Sequence, residues 1–191
     1  MKPRHLLFVR HSLPVLEESI ERRFWHLSDE GRRRADAMAD YLRRYDVQAI
    51  VSSDELKSIE TAHAISTRLN CPFEVDARLR EHSIDSEPFR SEPAFKRLVH
   101  SFFASPDEIV FGTESAITAC DRLATAVSTA REKYPTGDVA LVSHGRLLSA
   151  FLAPILDTDP FALWKRLKTP ALVALSLPKL DVAEVVETFE R

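Results

Sequence analysis

Short apolar runs alternate with amphipathic stretches along this chain, and the alternation predicts strands and helices in turn. Residues 5–9 (HLLFV) are apolar and end at Arg10-His11, the pattern of a buried strand. Residues 12–27 are polar and irregular around Pro14 and read as a loop. Ser28-Asp29-Glu30 predicts a helix start, with Ser28 as N-cap and acids in the first turn; Ala35, Met38, Ala39 and Leu42 follow at helical spacing. Residues 47–51 (VQAIV) read as a second strand, and Ser52-Ser53-Asp54 as the cap of a helix running to about Leu69. Residues 73–75 form a short third strand. The texture then changes. From Glu81 to Gly112, Pro88, Pro93 and Pro106 punctuate helical fragments such as 94–103, so about 82–112 is expected to be a helical insertion or lid. Thr113 is the candidate cap of a long helix over 113–133, and Tyr134-Pro135-Thr136-Gly137 is a turn. Residues 139–142 (VALV) make a fourth strand ending at Ser143-His144-Gly145, and a helix follows over 147–156. Residues 173–177 and 182–186 are closing strands joined by a turn at Pro178. Strands alternating with helices predict a three-layer α/β/α sandwich on a mixed, mainly parallel sheet. With no repeat or linker, one domain over 1–191 suffices.

Composition narrows the partners. The net charge of −3, from 26 Lys+Arg and 29 Asp+Glu, offers no bulk affinity for nucleic acid or an anionic membrane. Cys71 and Cys120 lack CxxC spacing, so neither a disulfide framework nor a zinc site is expected. The apolar run at 6–9 is too short for a signal peptide or a membrane span. These features point to a cytoplasmic protein without metal or cofactor.

Candidate chemistry sits at strand ends. Arg10-His11 follows strand one and Ser143-His144-Gly145 follows strand four; in a parallel sheet both lie at the carboxyl edge, where ligands bind. His11 and His144 can therefore share a pocket, one attacking a phosphoryl group while the other holds it. Arg10 and Arg146 lie beside them, and Lys57 follows the second strand on the first turns of a helix, which together would make a cationic cradle. By position alone, two of seven histidines could also end strands without a shared role.

The blocks LLFVRHS, LSDEGRRRA, VSSDELKSIETA, LREH and VALVSHGRLL occur in this order, and together they resemble the histidine phosphatase superfamily, the phosphoglycerate-mutase-like fold. The resemblance spans roughly residues 5–155. It implies hydrolysis of a phosphate monoester, with His11 as nucleophile and a transient phosphohistidine. His11 must then be neutral, one ring nitrogen donating to a backbone carbonyl. Arg10 and His144 would bind the equatorial oxygens, helped by Gly145 and by the backbone N–H and hydroxyl of Ser12, which replaces the family's usual glycine. Lys57 stands where the family more often has a second phosphate-binding arginine; read alone, it is a surface helix lysine. Glu81 would protonate the leaving oxygen and later deprotonate water, starting protonated because burial or the nearby phosphate raises its pKa. Read alone, Glu81 is a solvated loop carboxylate. Asp54-Glu55 replace the usual Pro-Leu and bring negative charge near the pocket mouth. The loop after His11 lacks the family's Trp-Asn pair and carries Glu17, Glu18, Glu21, Arg22, Arg23 and Trp25 instead. The substrate class left open is a small-molecule phosphate ester or a phosphoprotein. Two other functions also stay open: mutase-type phosphotransfer, and a catalytically weak protein that binds a phospho-ligand. His5, His26, His63 and His100 read as structural or surface residues, His82 as a support beside Glu81, Phe102, Phe103 and Phe111 as core, and Trp164 as packing for the last helix.

Overall fold

The computed structural model describes residues 4–84 and 87–190. Residues 85 and 86 of the expected insertion lie outside the described residues, as do 1–3 and 191 at the ends of the expected domain. The chain runs β1 (His5–Arg10), α1 (Asp29–Leu42), β2 (Val47–Ser52), α2 (Leu56–Leu69), β3 (Phe73–Val75), α3 (Glu92–Ala104), α4 (Ala116–Lys133), β4 (Asp138–Ser143), α5 (Gly145–Leu152), α6 (Pro160–Arg166), β5 (Ala171–Ser176) and β6 (Asp181–Val186). The strands join in the order β3-β2-β4-β1-β5-β6. The first four in that order are parallel, β5 runs antiparallel to β1, and β6 antiparallel to β5. This is the α/β sandwich with a mixed sheet that the alternation of patterns predicts.

Central strands are apolar on both faces because helices cover both. Leu6 and Phe8 of β1 face one side, packing with Leu141 and with Leu123 and Leu148 from α4 and α5. Leu7 and Val9 face the other, with Ile50, Met38 from α1 and Ile65 from α2. Helix α3 builds a separate cluster of Val99, Phe102 and Phe103 with Ile84 and Phe111, against which Phe95 and the α6 residue Trp164 pack.

The Ser28 cap forms as expected, its hydroxyl accepting the Gly31 N–H at 2.9 Å. Three other helix boundaries differ. Helix α2 starts at Leu56 behind Glu55, whose side chain makes no capping bond, so Ser52-Ser53-Asp54 is not the cap. Helix α4 starts at Ala116, because Ser115 rather than Thr113 accepts the Thr118 N–H. Helix α5 covers Gly145–Leu152 rather than 147–156. Its end is set by Pro154, which has no N–H to offer Ala150 and whose ring would crowd that carbonyl.

Candidate active site

Register brings the two histidines together. Arg10 lies opposite Ser143 in the β1–β4 ladder, and the His11 N–H continues it by donating to the Ser143 carbonyl at 2.9 Å. On the other side of β4, Ser52 pairs with Val142, and the Ser53 N–H donates to Val142 at 2.9 Å. Three neighbouring strands thus end level and deliver Ser53, His144 and His11 side by side. The chain leaves β1 for α1 on one face of the sheet and the adjacent β4 for α5 on the other, the arrangement that opens a crevice at the carboxyl ends. The imidazole centroids of His11 and His144 are 5.0 Å apart, with their planes inclined at 59°.

His11 Nδ1 lies 2.7 Å from the Ser12 carbonyl oxygen. A carbonyl can only accept, so this bond places the proton on Nδ1 and leaves Nε2 with its lone pair. Burial, followed by the charges of His144, Lys57 and Arg10, holds His11 well below the usual imidazole range. Burial and Lys57 do the same for His144. His144 Nε2 is 2.8 Å from Ser53 Oγ and 3.3 Å from Ser58 Oγ, while its Nδ1 is buried without a partner among the described residues. Both rings are therefore neutral at physiological pH.

Arg10 reaches to the C-terminal end of α6. One guanidinium nitrogen donates to the Leu167 carbonyl and, at 3.4 Å, to that of Trp164, and Nε is buried without a partner among the described residues. Burial pulls this guanidinium down to about 10, with Glu81 working the other way. Gly145 lies tight against this guanidinium: a Cβ there would sit 2.7 Å from Arg10 Cζ.

Two expectations need correcting. Ser12 is fully buried; its N–H donates to Thr61 Oγ1 at 3.0 Å and its hydroxyl to the Gly31 carbonyl at 2.6 Å. Both groups brace α1 and α2, which leaves neither donor for a phosphate oxygen. Glu81 is neither solvated nor protonated at rest. Its carboxylate accepts the Arg146 and Leu147 N–H groups, each at 3.0 Å, and the His82 N–H at 3.0 Å, so it caps the N-terminus of α5 from across the fold. Burial favours its neutral form, but the Arg146 guanidinium at 3.9 Å and these N–H groups prevail and hold it at about 2.

Around Glu81 stands a frame that motif reading did not find. Arg122 donates to the carbonyls of Arg78 and Arg80, both at 2.7 Å, and to the Glu114 carboxylate at 2.6 Å. His82 is fully buried, with Nε2 3.0 Å from the Glu114 carbonyl and its ring against Phe102 and Phe111. Burial pulls it down to about 4. Arg146 donates to the His82 carbonyl at 2.8 Å.

Lys57 is no surface lysine: it is 6% exposed. Its ammonium donates to the Glu55 carboxylate and, at 2.9 Å, to the Arg22 carbonyl. The other Glu55 oxygen accepts the Glu81 N–H at 2.8 Å and lies 3.4 Å from His144 Nε2. Burial works to raise the Glu55 pKa, but Lys57 outweighs it and keeps the carboxylate ionised. Spacing conceals this pair. Residues two apart do not face each other on a helix, yet Glu55 precedes α2 in extended backbone and can turn back to Lys57.

The loop after His11 closes over this pair. Arg22 donates to the Ile84 carbonyl at 2.7 Å, Trp25 Nε1 to Glu17 at 2.8 Å, and the Trp25 and Phe89 rings lie 5.8 Å apart. Glu21 and Arg23 pair with each other at the surface, Glu18 is exposed, and Asp54 pairs with Arg80 at 2.5 Å. His5 clamps Asp138 at 3.1 Å, and His63 and His100 are exposed. Among the described residues, no group of three or more His, Cys, Asp or Glu could hold a metal ion. No helix there is long and apolar enough to cross a membrane.

Known proteins resemble this chain in sequence and in fold. The uncharacterized phosphatase PhoE of Bacillus subtilis is 28% identical over 159 residues, which are 83% of this chain and 76% of that protein. Glucosyl-3-phosphoglycerate phosphatase of Mycolicibacterium vanbaalenii is 31% identical over 141 residues, 68% of this chain and 63% of that one, so the chain spans under two thirds of this relative. The solved structure of a mycobacterial glucosyl-3-phosphoglycerate phosphatase superposes with a TM-score of 0.74 at 22% identity, covering 98% of this chain and all of the other; it shares the fold. The model of the histidine phosphatase superfamily, branch 1, matches residues 6–182, and the chain belongs to that superfamily.

Proposed function

We propose that the protein hydrolyses phosphate monoesters through a phosphohistidine on His11, with water as the final acceptor. The observation that carries this reading is the His11–Ser12 bond, which leaves an unprotonated Nε2 beside a second neutral imidazole in a cationic crevice. The His11 lone pair attacks phosphorus in line, and the bond to the ester oxygen breaks. The buried Arg10 Nε and His144 Nδ1 would each gain, in a phosphoryl oxygen, the acceptor they lack among the described residues. The tautomer in which the Ser53 hydroxyl donates to His144 Nε2 puts the proton of that ring on Nδ1, ready to donate.

Glu81 is the proton carrier in this scheme. It is ionised at rest, so it takes up a proton as the phosphate dianion arrives, whose like charge raises the carboxyl pKa. That proton passes to the leaving oxygen. Glu81 then accepts one from the water that cleaves the phosphohistidine, and His11 is restored. No step calls for a metal, so EDTA is expected to leave the rate unchanged. The described residues act as one domain, with those of 82–112 over the site. The substrate is a small phosphorylated metabolite, in keeping with the relatives' names, and the free thiols of Cys71 and Cys120 support a cytoplasmic setting. Transfer to a second substrate hydroxyl, as a mutase requires, is the less favoured reading.

The test is His11→Ala on p-nitrophenyl phosphate. Turnover is expected to vanish while far-UV circular dichroism stays that of the parent. Activity within tenfold of the parent would remove His11 as nucleophile.

A further inference from the structure

Among the described residues, Glu55 is a buried carboxylate beside the histidines that takes no part in the proposed proton transfer. It is buried at 8% exposure in the N-cap position of α2, yet makes no capping bond there. It reaches instead across the crevice. One oxygen takes the Lys57 ammonium; the other accepts the Glu81 N–H at 2.8 Å and stands 3.4 Å from His144 Nε2. A phosphoryl group held between His11 and His144 would meet this carboxylate and the ammonium it binds at close range. Of the ionised side chains around the crevice, Arg10, Lys57 and Arg146 supply positive charge and Glu55 and Glu81 negative.

We propose that Glu55 is a specificity-determining residue: it neutralises Lys57, so that the two act on the phosphoryl group as one uncharged unit and the site holds free phosphate weakly. The inference rests on the phosphatase reading above and deepens it. A lone ammonium would bind the dianionic product and slow its release. The paired one leaves Arg10 and the imidazoles to grip the phosphoryl group and lets the product go. The geometry also excludes a purely local capping role, since Glu55 spends its oxygens on residues of other elements and on Lys57.

The test is a charge cycle read by calorimetric binding of inorganic phosphate at pH 7, independent of turnover. Four proteins are compared: the parent, Glu55→Gln, Lys57→Ala and the double variant. Glu55→Gln keeps a carbonyl to accept the Glu81 N–H and removes the charge, its amide nitrogen replacing the oxygen that binds Lys57. A unit charge within about 5 Å, at an effective dielectric near 20, changes anion binding by at least about tenfold. Glu55→Gln is therefore expected to tighten phosphate by about tenfold or more, and Lys57→Ala to weaken it by a similar factor. The double variant, again neutral, should return to within about threefold of the parent. A double variant as weak as Lys57→Ala would make Lys57 a ligand in its own right and overturn the proposal. So would unchanged or weaker phosphate binding by Glu55→Gln, which decides alone if Lys57→Ala fails to fold. A parent that binds phosphate with this order of affinities but turns over no ester would sink the phosphatase reading and leave the charge pair standing. A parent and a Glu55→Gln variant that both bind no phosphate would overturn both.

Discussion

Glu81 shows how little a residue's type says about its protonation. Motif matching marks it as an acid, but only the fold reveals that it rests as an anion because the Arg146 guanidinium lies beside it and it accepts three backbone N–H groups. If it carries the leaving-group proton, Glu81→Gln must harm poor leaving groups more than good ones. General acid–base catalysis contributes on the order of a hundredfold to ten-thousandfold. An alkyl phosphate should lose activity in that range, and an aryl phosphate with an acidic phenol at least about tenfold less. Equal losses on the two substrates would reduce Glu81 to an anchor for α5. His11, His144 and Arg10 could be found from the chain alone because each abuts an apolar run, and parallel pairing takes such run ends to one edge. Glu55 could not. Its neighbours Lys57, His144 and Glu81 lie near it through a turn of backbone and through contacts spanning 26 residues or more.

Among the elements, α5 bears most directly on the chemistry. It begins immediately after His144, its first N–H groups are bound by a carboxylate 65 residues earlier in the chain, and its first residue is a glycine lying on Arg10. Gly145→Ala should therefore hurt function more than stability. Alanine is the better helix former, but its methyl must displace the Arg10 guanidinium. A shift of about 1 Å in such a group can cost on the order of a hundredfold in rate. The expected result is a fall in kcat/KM of at least roughly tenfold with a melting temperature within a few degrees of the parent; an unchanged kcat/KM would show that Arg10 has room to move. The same helix explains why its start was misplaced from the pattern. Local rules locate a helix end when the cap is local, as with Ser28. They fail when the cap comes from a distant loop, as Glu81 does for α5, or when apolar periodicity runs past a breaker such as Pro154.

At the level of the whole molecule, acid should weaken the fold well before it protonates the surface carboxylates. His11, His82 and His144 are buried and neutral in the native state. Unfolded, each takes a proton below about pH 6.5, whereas folded His82 does so only near 4, so the unfolded chain binds more protons as pH falls between those values. For His82 alone the shift corresponds to up to about 3 kcal/mol, present above pH 6.5 and lost by about pH 4. Glu81 adds a loss of the same sign between 4.5 and about 2. Urea midpoints should fall steadily from pH 7 to pH 4, and His82→Phe should make that fall shallower; a flat series would contradict the neutral buried imidazoles. The hold that α6 has on Arg10 matters in another way. The nucleophile and its arginine emerge from the ribosome together, but the Leu167 carbonyl that fixes the guanidinium follows more than 150 residues later. Domains fold largely as their residues appear. A nascent chain can therefore expose His11 early, yet it stays without a fixed Arg10, and so without a finished catalytic centre, until Leu167 has been made and folded.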